Sequence, residues 1–102
     1  MQTVQEIVGG ETYEYAPLGQ YIVRANGVCG GRPTFKYTRI EVAGVLEQLA
    51  AGRNIKEIVV GYRGRVPEEA ILEAMLILTR HYLETMPELK QELKAAHDYD
   101  CA

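Results

Sequence analysis

The sequence predicts a mainly α fold, in which a helix-turn-helix core of three helices follows an amino-terminal β-hairpin and precedes a carboxyl-terminal helix. Two observations support this prediction. Residues 42–51 form an amphipathic segment that ends at Gly52, and a short capped segment begins directly after it. A longer apolar segment follows from about Val66. Helix, glycine-containing turn and helix are the parts of a helix-turn-helix module.

The chain of 102 residues is long enough for one domain. We divide it into a hairpin and arm (1–41), the helix-turn-helix core (42–83) and a carboxyl-terminal helix with a tail (84–102). It has no apolar run long enough to cross a bilayer, and its first residues lack the basic and apolar regions of a secretory signal. Its two cysteines are a poor disulfide framework, so we expect a cytoplasmic protein.

Alternation on either side of residues 16–20 predicts the hairpin. Tyr13 and Tyr15 precede this Pro- and Gly-containing turn, and Tyr21 and Val23 follow it. An isolated hairpin is marginally stable in water, so this one is expected to lie on the helices or to pair with a partner chain. Thr34-Phe35 and Arg39-Ile40 are expected to add short extended pieces.

Apolar periodicity predicts the first helix from about Val42 to Ala51. Its apolar residues recur at intervals of three and four, which places them on one stripe: Val42, Val45, Leu46, Leu49 and Ala50. Gly52 is expected to end this helix in the left-handed conformation. Asn54 is then the predicted N-cap of the second helix, with Glu57 as its capping-box partner.

The third helix is predicted from Val66-Pro67 to about Leu83, since a proline and two glutamates suit a helix amino terminus. It is apolar on nearly every face, and three helices cannot cover all of it. We therefore expect a homodimer through this helix, with an interface of Ile71, Met75, Leu78 and Tyr82. A last helix is predicted over residues 87–96.

Charge is distributed unevenly along the chain. The net charge is −3, yet seven basic and three acidic residues lie between Arg32 and Arg65, and both flanking regions are acidic. A basic middle is consistent with a local phosphate-binding face. An ordinary solvated surface can carry the same charges, so both interpretations stay open.

Four short motifs between residues 26 and 82 resemble the domain of unknown function 433 family, whose members look like VapB-type antitoxins of type II toxin–antitoxin systems. The motifs are Gly30-Gly31-Arg32-Pro33, Tyr37-Thr38-Arg39-Ile40, Leu49-Ala50-Ala51-Gly52 and Asn54-Ile55-Lys56-Glu57-Ile58. Tyr37 occupies a position where the family pattern has glycine. The resemblance implies a homeodomain-like DNA-binding fold and a PIN-like ribonuclease toxin as partner.

If the module binds DNA, the basic residues beside the second and third helices are the candidates for phosphate contacts. They are Arg53, Lys56, Arg63, Arg65 and, in the preceding arm, Arg39. Arg39 has a second interpretation, as a structural group bound to backbone carbonyls or to a carboxylate. The acidic pair Glu68-Glu69 opens the third helix and is unfavourable next to phosphates.

Enzyme signatures are missing from the sequence. It contains no Gly-rich phosphate loop, His-Glu-x-x-His, Cys-x-x-Cys or Gly-x-Ser-x-Gly motif. We therefore predict no catalytic residues and no cofactor, and we assign Glu68, Glu69 and Glu73 to a solvated helix face. His97 and Cys101 are four residues apart, but a structural zinc site takes four ligands, so no metal is predicted.

These observations favour a DNA-binding antitoxin or transcriptional autoregulator that docks on phosphates as a homodimer. The alternative is a dimeric protein–protein interaction module with a helix-turn-helix fold and no DNA binding. The net charge of −3 and the acidic first turn of the third helix favour the alternative.

Overall fold

The fold is taken from a computed structural model, which describes residues 2–86 of the chain. A four-stranded antiparallel sheet in the order β1-β2-β3-β4 is followed by three helices. The elements are β1 (Val4–Val8), β2 (Glu11–Pro17), β3 (Ile22–Ala25), β4 (Thr34–Phe35), α1 (Val42–Ala50), α2 (Ile55–Gly61) and α3 (Glu68–Thr85), with a 3₁₀ turn at Cys29–Gly31. The predicted helix over residues 87–96 and the tail lie outside the described residues.

The architecture is mixed α/β, which corrects the prediction of a mainly α fold. The predicted hairpin is confirmed as β2 and β3, in which Tyr15 pairs with Ala25. Strand β4 is the predicted extended piece, and its Phe35 pairs with Ile22 of β3. The other predicted piece forms no strand, although the Ile40 carbonyl accepts a hydrogen bond from the Phe35 amide at 3.1 Å.

Strand β1 is the element that the sequence prediction missed. Gly9 and Gly10 join it to β2, with φ values of 59° and 83°, and Val8 pairs with Glu11. Two adjacent residues with positive φ make the tight turn that suits the twist of a hairpin. The strand is largely exposed, and Ile7 is 73% exposed. It therefore lacks the alternation of buried and polar residues by which a half-buried strand is recognised.

The main core lies where the sheet meets the helices. Strands β3 and β4 contribute Ile22 and Phe35, and all three helices contribute apolar side chains to the same cluster, among them Val45, Ile58 and Ile71. Because neighbouring residues of a strand point to opposite faces, Val23 and Ala25 enter a second, smaller cluster with Tyr15. The sheet is thus packed on both faces near β3.

The helix ends agree with the predicted signals. Helix α1 ends at Ala50, and Gly52 adopts a φ of 94°, the left-handed conformation expected after a helix. The Asn54 side chain accepts a hydrogen bond from the Glu57 amide at 2.9 Å, which confirms the predicted N-cap of α2. Helix α3 begins at Glu68, so Pro67 is its N-cap and not, as the proline signal predicted, its first helical residue.

Glu73 joins α3 to the turn between β2 and β3. Its carboxylate accepts hydrogen bonds from the amides of Gln20 and Tyr21 at 3.0 and 2.8 Å. A side chain at Gly19 would meet this carboxylate, so glycine permits the close approach. The assignment of Glu73 to a solvated face was wrong, because it holds the hairpin on the helix.

Candidate nucleic-acid interface

The five predicted phosphate-binding side chains are all exposed and stand on loops or helix ends. Arg39 follows β4, Arg53 lies between α1 and α2, Lys56 is in the first turn of α2, and Arg63 and Arg65 lie between α2 and α3. None of them forms an ion pair within residues 2–86. Within that part of the chain their charge is left for an external anion.

Arg53 and Lys56 share a shallow depression over α2. The Arg53 Nη1 donates a hydrogen bond to the Gln48 Oε1 at 2.6 Å, which holds the guanidinium beside Gly61. The depression is lined by Arg53, Lys56, Glu57, Val60 and Gly61. One carboxylate at its edge offsets part of the positive charge.

Arg39 and Arg65 converge on one polar cleft although they come from separate loops. The cleft lies beside β2, and Tyr13, Asn26 and Glu11 also line it. Within residues 2–86 the Arg39 side chain donates no hydrogen bond, so its alternative structural role finds no partner there. Two guanidinium groups against one carboxylate leave this cleft with a net positive lining.

Arg63 has a backbone role in addition to its charge. Its φ is 56° and that of Gly64 is 76°, so two consecutive left-handed residues reverse the chain between α2 and α3. The Arg65 amide donates to the Tyr62 carbonyl at 3.1 Å and closes this turn. This turn therefore positions Arg65, so that its side chain lines the cleft.

Two other basic residues of the region are paired with carboxylates. The Arg32 guanidinium donates to the Glu41 Oε1 at 2.7 and 2.9 Å, and this hydrogen bonding raises the Arg32 pKa. The Lys36 Nζ lies 3.7 Å from the Glu6 Oε2. The structure thereby separates these two cations from the five that have no such partner in the described chain.

A tyrosine cluster, formed by Glu6, Tyr13, Tyr15, Lys36 and Tyr37, joins β1 and β2 to the segment after β4. The Tyr15 and Tyr37 hydroxyls both donate to the Glu6 carboxylate, the latter at 2.7 Å. The Lys36 Nζ lies 4.8 Å from the Tyr15 ring centroid and 5.0 Å from that of Tyr37. The sequence does not reveal this cluster, because Glu6 and Tyr37 are 31 residues apart.

Hydrogen bonding sets the pKa values inside the tyrosine cluster. The Tyr15 and Tyr37 hydroxyls, together with Lys36, hold the Glu6 pKa below its ordinary value. Donation to the Glu6 carboxylate raises the Tyr37 pKa. The Tyr15 and Tyr37 hydroxyls raise the Lys36 pKa, despite partial desolvation. The cluster therefore carries one negative and one positive charge at neutral pH and is close to electrically balanced.

The predicted interface residues of α3 do not lie together on one free face. Met75, Leu78 and Tyr82 are 40%, 49% and 44% exposed, but Ile71 is fully buried in the main core. Ile71 is therefore removed from the predicted interface, because its side chain is already enclosed by its own chain. Leu78 borders an apolar groove between α3, α1 and β3, whose other walls include Leu46.

A family profile described as Protein of unknown function (DUF433) matches residues 22–76. This protein belongs to the DUF433 family. No curated protein and no solved structure matches the chain. The DUF433 segment starts with β3 and ends inside α3, so it contains all five candidate basic residues. Strands β1 and β2 precede it, and so do three of the five residues of the tyrosine cluster.

Residues 2–86 contain no group of three or more His, Cys, Asp or Glu side chains placed to hold a metal ion. None of the helices within that range combines the length and the hydropathy that a bilayer crossing requires.

Proposed function

We propose that this DUF433 protein binds DNA and acts as an autoregulator of the antitoxin class, as its resemblance to VapB-type antitoxins implies. The observation that supports this most is the convergence of Arg39 and Arg65 on one cleft, without an ion-pair partner within residues 2–86. Phosphate contacts supply most of the affinity of such proteins and do not depend on base sequence.

The order of the helices is compatible with a helix-turn-helix, in which the last helix faces the DNA. Arg65 directly precedes α3, and the left-handed pair at Arg63 and Gly64 turns the chain tightly between α2 and α3. The first turn of α3 carries Glu68 and Glu69, which phosphates repel. We therefore assign binding to backbone contacts from the arginines and make no assignment of base contacts.

The test is binding of a fluorescent duplex from upstream of the protein's own gene, measured by anisotropy over a range of salt concentrations. Arg39→Gln and Arg65→Gln should each weaken binding and lower the slope of log K against log salt by about one. The control is Arg32→Gln, because Arg32 is already paired with Glu41 at 2.7 Å. The proposal would be wrong if the wild type did not bind the duplex, or if Arg32→Gln weakened binding as much as Arg39→Gln and Arg65→Gln do.

The second candidate is a protein–protein module without DNA binding. The exposed apolar residues of α3 favour it, among them Leu72, Met75 and Leu76. In the antitoxin setting the partner would be a PIN-like ribonuclease. Two results together would favour this candidate over the first. A nuclease encoded beside the gene would co-purify equally well with the wild type and with the Arg39→Gln, Arg65→Gln double variant, and the protein would show no salt-dependent DNA binding.

A further inference from the structure

Helix α3 carries an exposed apolar stripe beside the face that packs on the core. We call this the outer stripe, and it consists of Leu72, Met75, Leu76, Thr79, Tyr82 and Leu83. Its large exposed members keep 40–49% of their surface accessible. The Thr79 hydroxyl donates to the Met75 carbonyl at 2.8 Å, so its polar atom is satisfied within the helix.

The outer stripe begins next to the core face of the helix. Tyr82 and Met75 lie only about 20° and 40° round the helix from Ile71, whereas Leu72 and Leu76 lie about 100° and 140° from it. The core takes Ala70, Ile71 and Ala74, and successive residues of a helix are about 100° apart. Leu76 and Leu78 are therefore about 200° apart. Leu78 borders the groove beside α1, whereas Leu76 points away from it. Both are 49% exposed.

The outer stripe repeats every seven residues. Leu72, Met75 and Leu76 recur as Thr79, Tyr82 and Leu83, and the spacing of three and four residues is that of a coiled-coil seam. A seam of this kind is complementary to another helix with the same repeat. We propose that α3 pairs with α3 of a second copy of this chain through the outer stripe, in antiparallel orientation.

The charges beside the stripe favour the antiparallel orientation. Glu69 and Arg80 are eleven residues apart, which is close to three turns, so they lie on the same edge of the stripe. A two-fold antiparallel pair brings equal edges together, with the Glu69 half of one helix facing the Arg80 half of the other. A parallel pair would instead set the Glu68-Glu69 turns of both copies side by side.

This pairing moves the dimer interface away from the face that Ile71 and Leu78 share. It keeps Met75 and Tyr82 and adds Leu72, Leu76 and Leu83. It leaves the groove at Leu78 uncovered. Because the residues that support it all lie in α3, the pairing is independent of DNA binding by the arginines.

The first experiment measures the mass of the full chain by sedimentation equilibrium over a range of concentrations. The monomer mass is 11.4 kDa, and we expect twice that mass at high concentration. Leu76→Ser should raise the dimer dissociation constant at least about tenfold. Leu78→Ser is the matched control, equal in residue type and exposure, and should leave the constant unchanged. Circular dichroism checks that both variants are folded.

A charge-reversal cycle tests the orientation. Glu69→Arg alone and Arg80→Glu alone should each weaken the dimer, and the double variant should recover most of the affinity. Three results would overturn the proposal. The wild type could be monomeric, Leu78→Ser could dissociate the dimer while Leu76→Ser does not, or the double variant could bind as weakly as the two single variants. DNA binding by the Leu76→Ser monomer, measured by anisotropy, tests the proposed function separately. Each protomer should keep the same dependence of log K on log salt, whether or not α3 pairs.

Discussion

The backbone amide of Tyr37 donates a hydrogen bond to the hydroxyl of Tyr13 at 3.0 Å. The rings of the two residues pack in a tilted arrangement, with centroids 5.4 Å apart and planes inclined by 38°. Tyr37 has a φ of 66°, a left-handed conformation that is costly for a residue with a side chain. Tyr13 lies in β2, before the segment that the DUF433 family shares, so the amino-terminal hairpin supports a strained residue inside that segment.

Replacement of Tyr37 separates the strain from the contacts. Tyr37→Ala and Tyr37→Gly both remove the ring and its hydrogen bond to Glu6, but only glycine also removes the left-handed strain. We therefore expect Tyr37→Gly to be more stable than Tyr37→Ala by about 1 kcal/mol. Urea unfolding of both variants measures the difference. Equal stability, or a more stable alanine variant, would mean that Tyr37 leaves the left-handed conformation when its ring is absent.

Glu6 should make the stability of the protein depend on acid pH. Its pKa in the folded chain is lowered by the Tyr15 and Tyr37 hydroxyls, so its stabilisation is complete above its unfolded pKa of about 4.3 and is lost as pH falls through the folded value. Glu6→Gln should therefore be less stable than wild type at neutral pH, and the difference should shrink on acidification. Thermal unfolding of both proteins from neutral to acid pH measures it, and a difference that does not change with pH would contradict the assignment.

The amino-terminal region marks the limit of prediction from sequence. The hairpin at Tyr13–Val23 was predictable because alternation and turn residues are local signals. Strand β1 and the tyrosine cluster were not, because β1 is mostly exposed and its Glu6 meets Tyr37 only through the folded sheet. The same holds for Glu73, whose partners Gln20 and Tyr21 are more than 50 residues away.

Glu73 should stabilise the fold, unlike the exposed Glu47 of α1. Glu73→Ala leaves the amides of Gln20 and Tyr21 without their carboxylate acceptor and detaches the turn from α3. We expect a loss of about 1–2 kcal/mol, since hydrogen bonds to charged groups contribute more than neutral ones. Glu47→Ala is the control, because Glu47 is exposed on α1 and lies outside the proposed pairing of α3, and it should change stability by less than about 0.5 kcal/mol. Equal losses in chemical denaturation would show that the two contacts contribute nothing.

The candidate site was predictable in its residue types and not in its pairing. Arg39 and Arg65 stand out in sequence as basic residues near a helix-turn-helix pattern. The structure pairs Arg32 with Glu41, whereas Arg39 lines the same cleft as Arg65. This difference depends on how side chains from separate loops are placed, which the sequence does not show. The apolar pattern of α3 likewise indicated an excess of exposed apolar surface, but not that Ile71 faces inwards.

Ile71 and Leu72 are adjacent in α3 and should respond differently to truncation. Ile71 is fully buried, so Ile71→Ala should cost about 2–5 kcal/mol through the cavity it leaves. This loss should be the same at every protein concentration, because it arises within one protomer. Leu72 is 49% exposed on the outer stripe, so Leu72→Ala should cost little in the dilute protein and more as concentration rises and pairing contributes to stability. Thermal unfolding of both variants over a range of concentrations measures the two behaviours. A concentration-dependent loss for Ile71→Ala would return that residue to the interface.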